Sequence, residues 1–168
     1  PVIVNGVKLE DEPRGGNCQT STTLYGAAVR ADMEIIERWN HSFPISYTEI
    51  GQDAMVDYPN FDLKFRNTKD SAIFISRTIK DNKIIVEVYG KKSEDYDRIE
   101  IVTDVLSQSA TPAYVDVADP SLYEGQNVIE YKSRPEIKTQ SYRVYYKDGK
   151  EVNRVKEAYT HHRKVTGK

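Results

Sequence analysis

The chain has one cysteine among its 168 residues, so it cannot close an internal disulfide, the staple of many small exported domains. No apolar run approaches the ~18 residues needed to cross a bilayer, and no charged-then-apolar leader opens the sequence. Pro1 enters strand-like PVIV directly, without an initiator Met, as expected of a piece of a longer protein. An excess of one charge is also missing. Lys and Arg number 24 against 26 Asp and Glu, a net charge of -2, which gives no field for nucleic acid. No Cys pair, HExxH pattern or acidic loop with ligand spacing marks a metal site, and no glycine loop ending in Lys-Ser/Thr cradles a phosphate. Neither a metal nor a cofactor is expected. Tyrosine, by contrast, is abundant, with 12 residues against four Phe and one Trp, which suits β surfaces that meet water or sugar on one side.

The one cysteine stands in GGNCQTSTTLYGAAVRA, residues 15–31. Gly15 and Gly16 can take backbone conformations closed to other residues and let a substrate approach the main chain. Past them, Leu24, Ala28 and Ala31 recur at helical steps with Ala27 beside them, whereas Cys18, Thr22 and Tyr25 share a different face. The thiol is therefore expected in the first turn of a helix, looking away from its buried stripe. A helix start carries about half a positive charge and several unpaired N–H groups, which favour thiolate. Free cysteines are more often small buried hydrophobes. Asn17, Gln19, Thr20, Ser21, Thr22 and Thr23 make this neighbourhood too polar for a core.

A thiolate nucleophile needs a base and later a proton donor within hydrogen-bond reach. Of the three histidines, His161 and His162 lie in the basic end HHRKVTGK, where a solvated role is expected. His41 remains, as catalytic base or as an ordinary turn histidine. Asp53 or Asn40 could orient its ring, with Asp53 preferred because it follows Gly51 and precedes an apolar stretch. The N–H groups of Gly16, Asn17 and Cys18 could hold an oxyanion. Arg66 could grip a substrate carboxylate by two prongs, and Tyr47 could line the cleft. Both residue types also occur as plain surface groups.

Around this centre the expected fold is α+β, one main helix carrying Cys18 at its start and packed on an antiparallel sheet, followed by a small all-β module. Strands are expected at 1–4, 7–9, 33–39, 45–47, 54–58, 61–66, 71–79 and 83–89, the last three as a meander. The polar run GKKSED, residues 90–95, reads as a linker. The division is residues 1–92, a connection at 93–97, and residues 98–168 with short strands at 98–105, 113–117, 126–132, 141–146 and 151–158. In YRVYYKDGKEVNRV, Asp148 and Gly149 mark a hairpin turn.

The run GGNCQTSTTLYGAAVRADMEIIERWNHSFPISY, continued by GQDAMVDYPNFDLKFRN, resembles the VanW family of bacterial cell-envelope proteins. Residues 1–92 correspond to the C-terminal part of such a domain, whose start would lie upstream of Pro1. Residues 98–168, especially EGQNVIEYKSRPEIKTQSYRVYYKDGKEV, resemble a five-glycine extracellular module. Several of its glycines are absent, with Ser133, Pro135 and Glu136 near one such place. The resemblance implies a Gram-positive bacterium, an extracellular position in the cell envelope, peptidoglycan stem peptides as partners, and wall glycan for residues 98–168. Nucleic acid is not expected, and membrane only through a segment outside this chain. It further implies cysteine L,D-transpeptidation to 3-3 cross-links, with Cys18 as nucleophile and His41 as base then acid. Gly15, Gly16, Asn17, Thr22, Tyr47 and Arg66 then fall to substrate binding. A cysteine carboxypeptidase or endopeptidase, and a binding module without chemistry, are the alternatives.

Overall fold

The structure, a computed structural model, describes residues 16–168 in full and, of the first fifteen, only the strands β1 (Val2–Val4) and β2 (Lys8–Glu10), which pair antiparallel. Residues 5–7 and 11–15, Gly15 among them, lie outside the described residues. Helix α1 (Asn17–Arg30) follows. The remaining strands are β3 (Glu34–Glu37), β4 (Lys64–Arg66), β5 (Phe74–Lys80), β6 (Lys83–Tyr89), β7 (Arg98–Gln108), β8 (Ile137–Lys147) and β9 (Lys150–His162). β3 pairs with β4, β5 with β6, and β7–β8–β9 form one three-stranded antiparallel sheet.

This architecture overturns the expected one. The chain is mostly β with one short helix, and that helix does not lie on one sheet beside a separate all-β module. It packs instead against β3, β6 and β7, which belong to three different sheets. The cause is the make-up of its buried face. Ser21, Thr22, Tyr25, Ala28 and Val29 are buried, so Cys18, Thr22 and Tyr25 face inward rather than away, and Leu24 is only partly covered. Polar side chains can be buried when each finds a partner. The Ser21 and Thr22 hydroxyls donate to the Ala54 carbonyl at 2.5 and 3.3 Å, and the Tyr25 hydroxyl reaches Glu157 at 3.4 Å.

The core joins the two halves. Tyr25, Val29 and Ala54 cluster with Ile101 of β7, and Ile35 and Leu63 pack against them. At the helix end, Asp32 (φ 58°) accepts hydrogen bonds from Tyr145 at 2.7 Å and Tyr96 at 2.9 Å, and pairs with Lys69 and Arg143. Burial pushes this carboxyl up, and the hydrogen bonds from Lys69, Tyr145 and Tyr96, with the Lys69 charge, outweigh it and hold it below the usual carboxylate range.

Two tight turns follow from their residues. Asp148 and Gly149, with φ of 49° and 75°, close the β8–β9 hairpin, and Asp81 and Asn82, with φ of 50° and 57°, close β5–β6. Positive φ at both central positions matches the right-handed twist of the strands they join. The expected meander does not form, because β4 takes β3 as its partner. No strand forms at 45–47, 113–117 or 126–132. In the last two stretches the backbone is satisfied singly by the end of the chain: the N–H groups of Val115 and Glu130 donate to the carbonyls of Gly167 and Lys168.

Candidate active site

Gly16 takes φ 107° just before the helix, a left-handed conformation that glycine adopts without penalty. The Thr20 N–H is the first to find a helical acceptor, the Gly16 carbonyl at 2.9 Å. The N–H groups of Asn17, Cys18 and Gln19 therefore have no intrahelical partner. Cys18 is the second residue of the helix and is half-buried.

Three stretches are laced together beneath it. The helix is tied to segment 53–56 by the hydroxyl contacts to Ala54, by the Ala54 N–H donating to Thr22 Oγ1 at 3.0 Å, and by Cys18 Sγ lying 3.4 Å from the Val56 carbonyl oxygen. That segment is bridged to the end of β3, where the Met55 N–H donates to the Trp39 carbonyl at 2.7 Å. These ties fix the sulfur relative to Asp53 on one strand-like segment and His41 on the next.

His41 is buried, and its Nδ1 lies 2.6 Å from Asp53 Oδ2. The same oxygen accepts the His41 main-chain N–H at 2.6 Å. With Nδ1–H committed to the carboxylate, Nε2 is the nitrogen left to meet Tyr47 Oη at 3.4 Å and the Cys18 thiol. The other Asp53 oxygen takes a hydrogen bond from Arg38 Nη2 at 2.8 Å, and Arg38 Nε donates to the Asp53 carbonyl at 2.5 Å. Side-chain exposure is 5% for Arg38 and 3% for Asp53. One prong on the carboxylate and one on the main-chain carbonyl of the same residue hold the Asp53 side chain in one orientation.

The electrostatics follow from that chain of contacts. Burial pushes the Cys18 thiol up, and Asp57 adds to this, but the hydrogen bond to His41 and its positive charge win and bring the thiol below its usual value. For His41, burial disfavours the charged ring. The Asp53 hydrogen bond, the Cys18 contact and both negative charges outweigh it and lift the imidazole to about 9. Burial pushes Asp53 up as well, and the His41 hydrogen bond and Arg38 charge hold it below the usual carboxylate range. Burial and the nearby sulfur raise Tyr47 to about 12, so it stays a neutral donor. The lowered thiol and the raised imidazole together favour a thiolate beside an imidazolium, the pair that attacks acyl carbon.

Of the residues singled out from the sequence, Cys18, His41, Asp53, Thr22 and Tyr47 come together, and Gly16 and Asn17 flank the thiol at the exposed helix start. Arg66 is engaged elsewhere, in an exposed pair with its cross-strand neighbour Glu34 at 2.7 Å. Asn40 turns its amide to the His41 carbonyl rather than to the ring.

The sequence reading missed Arg38, hidden in the run IIERWNH. It also misplaced His162. That ring is 1% exposed, not solvated, and its Nδ1 lies 3.1 Å from the His41 carbonyl oxygen. Strand alternation sends His161 outward to Glu136, at 2.7 Å, and His162 inward.

The floor under this loop is equally close. Gly51 has φ 79°, and a Cβ there would sit 2.7 Å from Thr139 Oγ1 and 3.0 Å from Thr103 Cγ2. Thr139 is fully buried in the central strand β8 and cannot swing clear. Gly51→Ala is expected to destabilise the protein by about 1–3 kcal/mol. Urea denaturation checks this, and a change under about 0.5 kcal/mol would show that the loop shifts freely.

The site sets a cysteine at a helix start with a histidine and a buried carboxylate, and the sequence comparisons give the chain's kin. Residues 1–89, the N-terminal half, match the VanW-like proteins, and the chain belongs to that family. Residues 102–165 match the G5 domain. The combination identifies a cell-wall-associated protein. The uncharacterized protein YoaR of Bacillus subtilis is 34% identical over 90 residues, 54% of this chain and 29% of that protein. The vancomycin B-type resistance protein VanW of Enterococcus faecalis is 35% identical over 95 residues, 54% of this chain and 34% of that protein. The chain thus spans about a third of the length of these relatives. No solved structure matches it significantly. Among the described residues no helix is long and apolar enough to cross a membrane.

Proposed function

We propose that this chain carries the nucleophile of a cysteine L,D-transpeptidase that makes 3-3 cross-links in peptidoglycan. The observation that supports the reading is the Cys18–His41–Asp53 constellation, with His41 Nδ1 2.6 Å from the carboxylate and the thiol at the start of α1. The cell-wall setting supports the substrate class.

In this reading the Cys18 thiolate attacks the carbonyl carbon of the third stem residue. The oxyanion is met by N–H groups of the first helical turn, which are fixed in place before the reaction. His41 Nε2–H gives its proton to the departing amine of D-Ala as the carbon–nitrogen bond breaks, leaving a thioester on Cys18. The amine of a neighbouring diamino acid then attacks the thioester and loses its proton to His41. Collapse forms the new amide and returns the thiolate beside the imidazolium. Asp53 keeps the ring in the Nδ1–H tautomer throughout, and Arg38 keeps Asp53 in place.

Incubation with tetrapeptide muropeptides, followed by mass spectrometry, tests the proposal. A dimer that has lost one D-Ala, together with an acyl adduct on Cys18, is the expected result. Free D-Ala without dimer would mean that water is the acceptor and the protein is a carboxypeptidase. Folded protein giving neither product nor adduct would overturn acyl transfer and leave a recognition role.

A further inference from the structure

We propose that Thr160 and His162 of β9 are positioning residues of the Cys18 site, so that the G5-matched sheet is a working part of that site and not only a wall-associated neighbour. The inference rests on the thiol reading above, whose chemistry is that of the first half of the chain. Its own observation is that the site's supports come from the second half.

Arg38 spends Nη2 and Nε on Asp53 and Nη1 on Thr160 Oγ1, at 2.9 Å. Thr160 is fully buried. If that acceptor is removed, a nearly sealed guanidinium keeps one N–H without a partner, which costs free energy until the group rotates. Because the guanidinium is planar and rigid, rotation to recover the bond also moves the two donors on Asp53. The carboxylate that aims His41 is therefore set partly by a hydroxyl on β9.

His162 acts on the other side of the same residue. Its Nδ1–H donates to the His41 carbonyl, while the His41 N–H is held by Asp53 Oδ2. The peptide groups on both sides of the His41 Cα are thus anchored, and the ring's direction is fixed with them. His162 Nε2 is buried with no partner among the described residues. A proton there would be a sealed donor without an acceptor, so the ring stays neutral in its Nδ1–H form. Burial also lowers the basicity of the ring, with Arg38 acting in the same direction against Asp53 and the main chain around His41 and Ser42.

Further ties from the same sheet or the loop before β8 converge on the stretch from His41 to Asp53. Gln52 Nε2 donates to the Ile101 carbonyl at 3.3 Å, Gly51 lies against Thr139, and the Arg134 guanidinium stands 3.7 Å over the buried Phe43 ring. A merely adjacent module would not place its most buried polar side chains under another segment's histidine.

The single cysteine makes the test direct. The rate of Cys18 alkylation by iodoacetamide, followed from about pH 5 to pH 9 on the full chain, reads the thiolate fraction without any wall substrate. Thr160→Val and His162→Leu are expected to move the midpoint upward by at least about half a pH unit, roughly a threefold loss of rate at pH 6.5. Thr160→Ser keeps the hydroxyl, and His162→Asn keeps a donor near the δ position, so both are expected to stay close to wild type. Wild-type midpoints in folded Thr160→Val and His162→Leu would overturn the proposal. Should these variants fail to fold, nitrogen-15 NMR of the wild-type imidazoles decides. His162 is expected as a neutral Nδ1–H ring at neutral pH that takes up a proton only below the ordinary 6.5, and a ring titrating at or above 6.5 would overturn the proposal. Alkylation needs no muropeptide, so a failed transferase assay with the midpoint shifts intact would sink the enzyme reading alone.

Discussion

His41→Asn is expected to abolish acyl transfer to within about a thousandth of the wild-type rate and to turn Cys18 into a thiol more basic than an ordinary one. The first effect follows from losing base and acid at once, each step of which is worth roughly 10²–10⁴-fold. The second follows from what remains. Burial and Asp57 both raise the thiol, and the imidazole, by hydrogen bond and by charge, opposes them more than the Val56 main chain does. Without it the alkylation midpoint should move upward, from below the ordinary thiol value to above it. A variant whose midpoint stays low would show that the helix start alone ionises the sulfur, and His41 would lose its assigned role.

Asp53→Asn is expected to be the most destabilising change at the site, by about 3–5 kcal/mol, because Arg38 is left charged, buried and without its counter-ion. The loss depends on pH with a definite sign. Asp53 has a folded value below its ordinary 3.8, so its contribution is present above 3.8 and disappears as pH falls through the lower folded value. His41 is raised from 6.5 to about 9, so its contribution is complete below 6.5 and is lost as pH rises through about 9. The stability gap between wild type and Asp53→Asn should therefore be widest between about pH 4 and 6.5 and should narrow on both sides. Urea denaturation at several pH values measures it, and a gap that does not vary with pH would mean that the carboxylate is not the charged partner of His41.

The thiol site was legible because its signals are local. Two glycines, a cysteine and a helical run occupy adjacent positions, and only one histidine shares their half of the chain outside the basic end. The supports were not legible because nothing in a short run of sequence says what lies across from it. Arg38 reads as a polar position in an alternating strand, and its partner Thr160 is 122 residues away. His162 was lost to composition: HHRK looks like a solvated tail until β9 is seen to end on its second histidine. The helix face was misjudged for a related reason. Hydrophobicity ranks Leu24 above Thr22 and Tyr25, but the hydroxyls of Thr22 and Tyr25 each have a buried partner, and Leu24 is left only partly covered. Two β-rich halves joined by a polar run look separable, although Ile101 shows that one half completes the other's core.

The Asp32 carboxylate and the Arg38 guanidinium impose an order on assembly. Asp32 gathers donors from three later stretches of the chain, and the contacts that steady His41 join residues 121 and 122 positions apart. Closing so long a loop is entropically slow and gains nothing until the closing strand docks. A chain still emerging, or one cut short of β9, therefore exposes a cysteine of ordinary acidity, and the sulfur is armed only once the hairpin that follows it by more than a hundred residues has docked.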